Sequence, residues 1–158
     1  MKKKLIPILF LCVAALFFLR PSELKLGEAV DHPVNQLPDV DIVIEGVSPT
    51  SITAALRNGG DKKLYYGEGF AIEAECNGVW YDVEQRKPME TVAHLKTLAP
   101  GADADESCFN WRRWYGSLPN GHYRYVLGVR IDTGLRDERT GAEKLSPVYV
   151  IASEFSLD

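Results

Sequence analysis

The sequence predicts an all-β protein whose body is a β-sandwich of about seven antiparallel strands, preceded by a hydrophobic N-terminal helix. Three observations support this prediction. After residue 39, short stretches alternate polar and apolar residues, which is the period of a half-buried strand. Turn sequences that contain glycine, asparagine or proline separate these stretches at fairly regular intervals. No stretch in this part has the apolar period of a long amphipathic helix.

The N-terminal segment has the pattern of an export signal. Lysines occupy positions 2–4, and residues 5–19 carry no charge, so a basic region precedes an apolar one. A buried core helix is the alternative, but such a helix would not normally follow a lysine triplet at the chain terminus. No small-residue cleavage pattern follows, and Leu11 stands where a lipoprotein signal would need a small residue before Cys12. The sequence therefore favours an uncleaved signal anchor over a lipoprotein or a secreted protein.

With such an anchor, residues 5–19 contact the membrane, the lysines stay in the cytoplasm and the body lies outside it. If the signal is cleaved, the protein is secreted. Residues 20–38 are rich in proline and charge without a sustained period, which predicts a linker. The sandwich domain then spans residues 39–158, and removing residues 1–38 should leave a folded, β-rich domain.

The first half of the domain contains a strong hairpin signal. The stretches "VDIVIEGV" (40–47) and "SITAALRN" (51–58) each predict a strand. "GFAIEAEC" (69–76) has apolar residues on one face and glutamates on the other. An Asn-Gly pair follows, and "VWYDVE" (79–84) returns. Asn-Gly between two alternating runs is the strongest short-range signal of a β-hairpin.

The second half contains two long strands and several weaker elements. "ADADESCFNW" (102–111) is a weak strand, and "NWRRWYGSL" (110–118) favours a short helical turn. "HYRYVLGVRI" (122–131) is a long strand that pairs with "PVYVIASEFSL" (147–157) at the C-terminus. The polar residues 132–146 between them form either a long hairpin loop or a mobile excursion.

The charge distribution argues against a nucleic-acid partner. Residues 1–26 hold five basic side chains and one acid, and the remainder holds 13 basic and 21 acidic side chains, a net charge of −8. An acidic body repels phosphate backbones. We therefore expect no nucleic-acid partner.

Two cysteines lie in the exported part, Cys76 and Cys108. An even pair in an oxidising compartment permits a disulfide, which would close a loop of about thirty residues and stabilise by about 3 kcal/mol. Two buried free thiols are the alternative. Neither cysteine has the CxxC spacing of a zinc site.

No catalytic motif occurs in the sequence. It lacks G-x-S-x-G, H-E-x-x-H and a phosphate-binding glycine loop. His122 begins a strand beside a turn, where a solvated histidine is far more common than a catalytic one. The acidic run at 103–107 lacks the spacing of a calcium loop, which favours a solvated strand edge. We expect no enzyme activity, no metal and no cofactor.

One segment combines aromatic and basic side chains at a predicted loop, and it is the candidate interaction loop. Its members are Trp111, Arg112, Arg113, Trp114 and Tyr115. Aromatic and arginine side chains are enriched at binding hot spots. The alternative is that two or three of the rings fill the sandwich core.

Three segments in this order resemble a family of bacterial immunoglobulin-like domains found on lipoproteins and membrane-anchored envelope proteins. They are "YYGEGFAIEAECNGVWYDV" (65–83), "APGADADESCFNW" (99–111) and "WYGSLPNGHYRYVLGV" (114–129). The resemblance implies an immunoglobulin-like sandwich at the cell envelope, without catalytic residues. Cys76 and Cys108 depart from the family pattern.

The last of these segments contains a predicted structural corner formed by Pro119, Gly121 and Tyr123. Tyr123 takes the place of the corner tyrosine that leads into strand F of immunoglobulin-like folds. In those folds the ring packs in the core and the hydroxyl bonds back to the backbone. The expected function is thus a non-catalytic structural or protein-interaction module, with binding of cell-wall glycan or another extracytoplasmic ligand as the alternative.

Overall fold

The computed structural model describes residues 24–90 and 94–158, and the regular structure in this part is entirely β. The eleven strands, in chain order, are β1 Leu26–Ala29, β2 Val40–Ser48, β3 Ser51–Asn58, β4 Leu64–Cys76, β5 Val79–Val83, β6 Lys96–Leu98, β7 Ala102–Asp103, β8 Ser107–Asn110, β9 Gly121–Arg136, β10 Glu143–Leu145 and β11 Tyr149–Leu157.

The strands form two antiparallel sheets that pack as a sandwich. The larger sheet has the order β1-β5-β4-β9, with β10 and β11 both paired to β9 and β6 paired to β4. The smaller sheet has β2 and β3 paired, with β7 and β8 on the other side of β3. The predicted all-β sandwich is confirmed. The described strands exceed the expected seven because β1, β6, β7 and β10 have only two to four residues each, too few to show a period.

The core lies between the sheets and is built from the inward-facing residues of the strands. The predicted inner face of β3 is fully buried, and so are alternate residues of β4 and β9. The largest buried side chains include Trp111, Tyr123 and Tyr125, each at most 1% exposed. Rings also contact one another within a sheet: Tyr123 on β9 and Phe155 opposite it on β11 stack with a centroid separation of 5.6 Å. Aromatic burial therefore supplies much of the hydrophobic stabilisation.

The segment 132–146 is ordered and forms a hairpin beyond the sandwich, where the end of β9 pairs with β10. Glu143 is the centre of its contacts. The Lys63 ammonium lies 2.9 Å from Glu143 Oε1, Arg136 lies 3.4 Å from the same oxygen, and the Tyr65 hydroxyl donates to Oε2. The turn is closed by Asp137, whose pKa is lowered because the carboxylate accepts a hydrogen bond from the Thr140 N–H.

Part of the predicted linker 20–38 belongs to the sheet. Strand β1 pairs with β5, and residues 30–35, which we call the strap, cross the outer face of the larger sheet. Val30 N donates to Trp80 O on β5 at 2.8 Å. Asn35 then bonds to β11 through its backbone and its side-chain amide, at Val150 and Ala152. Strand β1 has only four residues, too few to show the alternation of a strand in the sequence.

The predicted anchor helix at 1–19 lies outside the described residues. Among residues 24–90 and 94–158, no helix is long and apolar enough to span a membrane.

The predicted corner has the expected hydrogen bond. Tyr123 is 1% exposed, and its hydroxyl donates to Pro119 O at 2.8 Å. Gly121 is needed at this corner because an added Cβ would lie 3.2 Å from the Tyr123 ring and hydroxyl. Burial raises the pKa of Tyr123 to about 12. The ring therefore supports the turn only while its hydroxyl is protonated.

The strap generates the first prediction. A chain spanning 39–158 should be less stable than one spanning 24–158 by about 3–5 kcal/mol, because the strap and β1 bonds are lost at about 1 kcal/mol each. Urea unfolding followed by far-UV circular dichroism measures the difference. Equal midpoints for the two chains would mean that the strap is only a linker.

The corner generates the second prediction. Tyr123→Phe should cost about 1 kcal/mol at pH 7, since one hydrogen bond is lost. In the unfolded chain the pKa of a tyrosine is about 10, which is below the raised pKa in the folded protein. The hydrogen bond therefore contributes its full stability below pH 10, and this stability is lost as the pH rises through about 12. The variant should therefore lose less stability than the parent between those two pH values. Parallel urea titrations across this window measure the two slopes, and identical slopes contradict the assignment.

Candidate functional site

The outer face of the larger sheet carries a buried ion pair. Glu73 on β4 and Arg124 on β9 are opposite each other in the strand register, on the face away from the core. Glu73 is 1% and Arg124 7% exposed, and Arg124 Nε donates to Glu73 Oε2. Charged side chains are rarely buried unless paired, so this face is built around the pair.

Aromatic and imidazole rings cover the pair on one side. The Arg124 guanidinium lies 4.5 Å from the centroid of Trp80, a cation–π contact. The Trp80 ring lies 5.3 Å from the ring of His122. His122 itself bridges two carboxylates, with Nδ1 3.3 Å from Glu75 and Nε2 3.2 Å from Glu154. The pKa of Glu75 is lowered by the Gly78 N–H and by His122.

On the other side of the pair, the strap borders an open groove of about 450 Å³, which we call the strap groove. His32 of the strap and Glu73 both line it. Glu73 Oε1 is buried and has no hydrogen-bond partner among the described residues. His32 Nε2 lies 3.4 Å from this oxygen, within range for ionic attraction but without hydrogen-bond geometry. A hydrogen bond requires a suitable angle as well as a short distance, so Oε1 has an ionic contact with His32 but accepts no hydrogen bond from the described residues.

Only part of the predicted interaction loop is available to a partner. Trp111 and Tyr115 are core residues, 0% and 5% exposed. Trp111 Nε1 donates to Pro49 O at 3.1 Å, and Gln85 Nε2 donates to the Tyr115 hydroxyl at 3.0 Å. Burial raises the pKa of Tyr115. These two rings of the candidate loop therefore fill the sandwich core, which is the alternative that the sequence left open for them.

The other three members of the loop remain accessible. Arg112 and Arg113 are exposed on a helical turn, as expected for this segment, and Trp114 is half-buried. Trp114 packs edge-on against Phe70 with a centroid distance of 6.2 Å. Both rings line a cleft of about 240 Å³ at the edge of the sandwich.

The candidate disulfide does not form. Cys76 and Cys108 are free thiols, the first partly buried and the second exposed. Cys108 lines the cleft beside Phe70, whereas Cys76 ends β4 six residues further on. Six residues of strand span about 20 Å, and a disulfide needs Cα atoms about 4.4–6.8 Å apart. The two cysteines lie in different sheets, Cys76 at the end of β4 and Cys108 on β8.

In residues 24–90 and 94–158, no group of three or more His, Cys, Asp or Glu side chains is arranged so that it could hold a metal ion. His94 is exposed, and the histidine at position 122 is held by carboxylates.

The sequence indicated the face of Glu73 but not its burial. Alternation along β4 places Glu73 opposite the apolar residues, which suggested a solvated face. The pairing of Glu73 with Arg124 depends on the register between two strands that are about fifty residues apart in the chain. The burial of Glu73 also depends on the strap, which has no recognisable pattern in the sequence. The alternation in "HYRYV" places Arg124 on the face opposite the two tyrosines. This indicates a polar face but not the pairing with Glu73.

Comparisons with known proteins give one family match. A family model described as "Bacterial Ig-like domain" matches residues 39–144. No curated protein matches the chain. Among solved structures, the chain is similar to a protein from Archaeoglobus fulgidus, with 15% identity over 75% of this chain and 95% of that chain. The TM-score is 0.25, too low to support an argument about fold or function.

The buried pair generates the third prediction. Replacing one partner, in Glu73→Leu or Arg124→Leu, should cost about 3–5 kcal/mol because it leaves an uncompensated buried charge. The double variant should cost clearly less than the sum of the two, since no charge is left behind. Urea unfolding of the four proteins gives the coupling energy. Additive costs would show that the two side chains are not coupled.

Proposed function

Because the chain belongs to the bacterial Ig-like domain family, we propose that it is a non-catalytic protein-interaction module at the bacterial cell envelope. Ig-like domains are generally non-catalytic. The family match over residues 39–144 is the observation that carries this proposal, because it covers all of the smaller sheet and most strands of the larger one. In the proposed arrangement, residues 5–19 anchor the protein in the membrane and the sandwich lies on the extracytoplasmic side.

Two further features support this arrangement. The lysines at 2–4 followed by an uncharged stretch are typical of a segment that inserts with its basic end in the cytoplasm. The acidic body is unsuited to nucleic acid and to anionic lipid surfaces. Among the described surfaces, the outer face of the larger sheet combines buried charge, aromatic cover and an open groove. A partner protein would therefore bind there.

A second candidate function is binding of cell-wall glycan at the edge cleft. The observation in its favour is the half-buried Trp114, whose ring lines that cleft near the exposed Arg112 and Arg113. Aromatic rings give large contact areas with one polar end. The loss of Trp111 and Tyr115 to the core leaves a single ring for stacking, so this candidate ranks second.

Cross-linking in intact cells tests both candidates and is the fourth prediction. A photoreactive amino acid at position 82, on the outer face of the larger sheet, should cross-link to a protein. The same group at position 41, on β2 of the smaller sheet, is the control and should give about tenfold less product, because specific interfaces cover only about 10% of a small protein's surface.

Position 114 separates the two functions. Cross-linking of cell-wall glycan from this position, without a protein product from position 82, would favour the second candidate. Equal protein labelling from all three positions would contradict a specific interaction surface.

A further inference from the structure

We infer that the strap groove binds a lysine side chain of a partner protein, with Glu73 Oε1 accepting a hydrogen bond from the ammonium group. Asp82, at the rim of the groove, adds a second negative charge. This inference rests on the proposed function and specifies the chemistry of its partner.

The first argument is the unsatisfied oxygen. Glu73 is 1% exposed, and only one of its oxygens, Oε2, is paired with Arg124. Oε1 has the ionic contact with His32 Nε2 at 3.4 Å but accepts no hydrogen bond from the described residues. A buried charged acceptor without a hydrogen bond is costly. A ligand that supplies an N–H donor removes this cost on binding, and therefore gains more there than at a solvated carboxylate.

The second argument is the charge of the groove. Among the described residues, the carboxylates of Glu73 and Asp82 line it, and no lysine or arginine does. His32 is the remaining titratable group that lines it. Arg124 does not line the groove: its Nε bonds to the far oxygen of Glu73, and its guanidinium lies over Trp80. The groove therefore favours a cationic ligand.

The single oxygen of Glu73 that accepts no hydrogen bond from the described residues suits an ammonium group better than a guanidinium group. Arginine binds carboxylates best through two parallel hydrogen bonds, one to each oxygen. In Glu73 one oxygen is already bonded to Arg124, so a fork has no matching pair of acceptors. A lysine ammonium acts as a compact point charge and needs only one oxygen.

The fourth argument is the shape of the groove floor. It is formed by small or apolar residues of adjacent strands, Ala71 on β4, Val126 and Gly128 on β9 and Val150 on β11. Met89 and Pro88 border it. Lysine side chains commonly lay their methylene stem along apolar surface while the ammonium group reaches a polar partner. The small floor residues leave room for such a stem.

His32 sets the entry to Glu73. Its side chain is 42% exposed and lies 3.4 Å from Oε1 without a hydrogen bond. Turning the ring toward solvent gives up this ionic contact but no hydrogen bond, and it uncovers Oε1 for the ammonium group. The strap itself stays attached through Val30 and Asn35 on either side.

The test, which is the fifth prediction, is an NMR titration of the full chain in a non-ionic detergent. The probe is Nα-acetyl-lysine N-methylamide, and the norleucine derivative is its uncharged counterpart. The lysine probe should shift the amide signals of Ala71, Val126 and Gly128. The norleucine probe should bind at least about tenfold more weakly, because a charge-assisted hydrogen bond is lost.

Variants with intact folding locate the site. Asp82→Asn should weaken lysine binding about threefold, as expected for one exposed charge, and Ala71→Leu should abolish binding by filling the floor. Asp103→Asn, on the smaller sheet, is the matched control and should leave binding unchanged. Thermal unfolding of each variant verifies that the fold is retained.

The outcomes separate this inference from the proposed function. No shift with the lysine probe, equal binding of norleucine, or the same loss in Asp103→Asn overturns the lysine site. If the lysine site is overturned but position 82 still cross-links to a protein, the proposed interaction function is supported and only the lysine specificity is contradicted. Lysine binding in vitro without any cellular cross-link leaves the site intact and contradicts the proposed function.

Discussion

The pairing of β4 with β9 determines both faces of the larger sheet. Its register sets Phe70 against Leu127 and Ile72 against Tyr125, which builds the core side. The same register sets Glu73 against Arg124 on the other side. Because side chains alternate with a period of two, a slip by one residue would turn the charged pair into the core. The register is therefore enforced from both faces, by apolar burial on one and by charge pairing on the other.

The buried pair in turn explains why the N-terminal strap is part of the domain. Taking two charged groups out of water costs several kcal/mol per ion unless they are paired and covered. Trp80 covers Arg124, and His32 covers the free oxygen of Glu73. The strap is held at both ends by hydrogen bonds to the sheet edges. Its attachment therefore lets this face keep a low-dielectric patch without a second layer of strands.

Local signals in the sequence predicted local structure well. The hairpin at residues 77 and 78 forms with positive φ at both positions, 54° at Asn77 and 80° at Gly78, as the Asn-Gly signal requires. The β9–β11 pairing and the corner at Tyr123 also follow the predicted pattern.

What the sequence did not reveal depends on distant contacts. Alternation says which residues share a face, but it does not say which face is covered. Trp111 and Tyr115 looked like a loop cluster, yet the helical turn between β8 and β9 directs both rings inward. The cysteine pair was plausible by number alone and fails on distance, which no spacing rule contains. The strap and the strap groove depend on a segment without a period that crosses four strands.

The second oxygen of Glu73 is arranged in a way that does not maximise the stability of the fold. A well-packed apolar pair of similar size would cover this face at least as stably as a buried ion pair does. A hydrogen bond from Arg124 to one oxygen, with only an ionic contact from His32 to the other, is a poor solution for folding alone. It is a good solution for a surface that must discriminate a cation from a neutral side chain, because the bound cation completes a hydrogen-bond set that the fold leaves incomplete. The arrangement therefore favours recognition by chemistry over recognition by shape at this face.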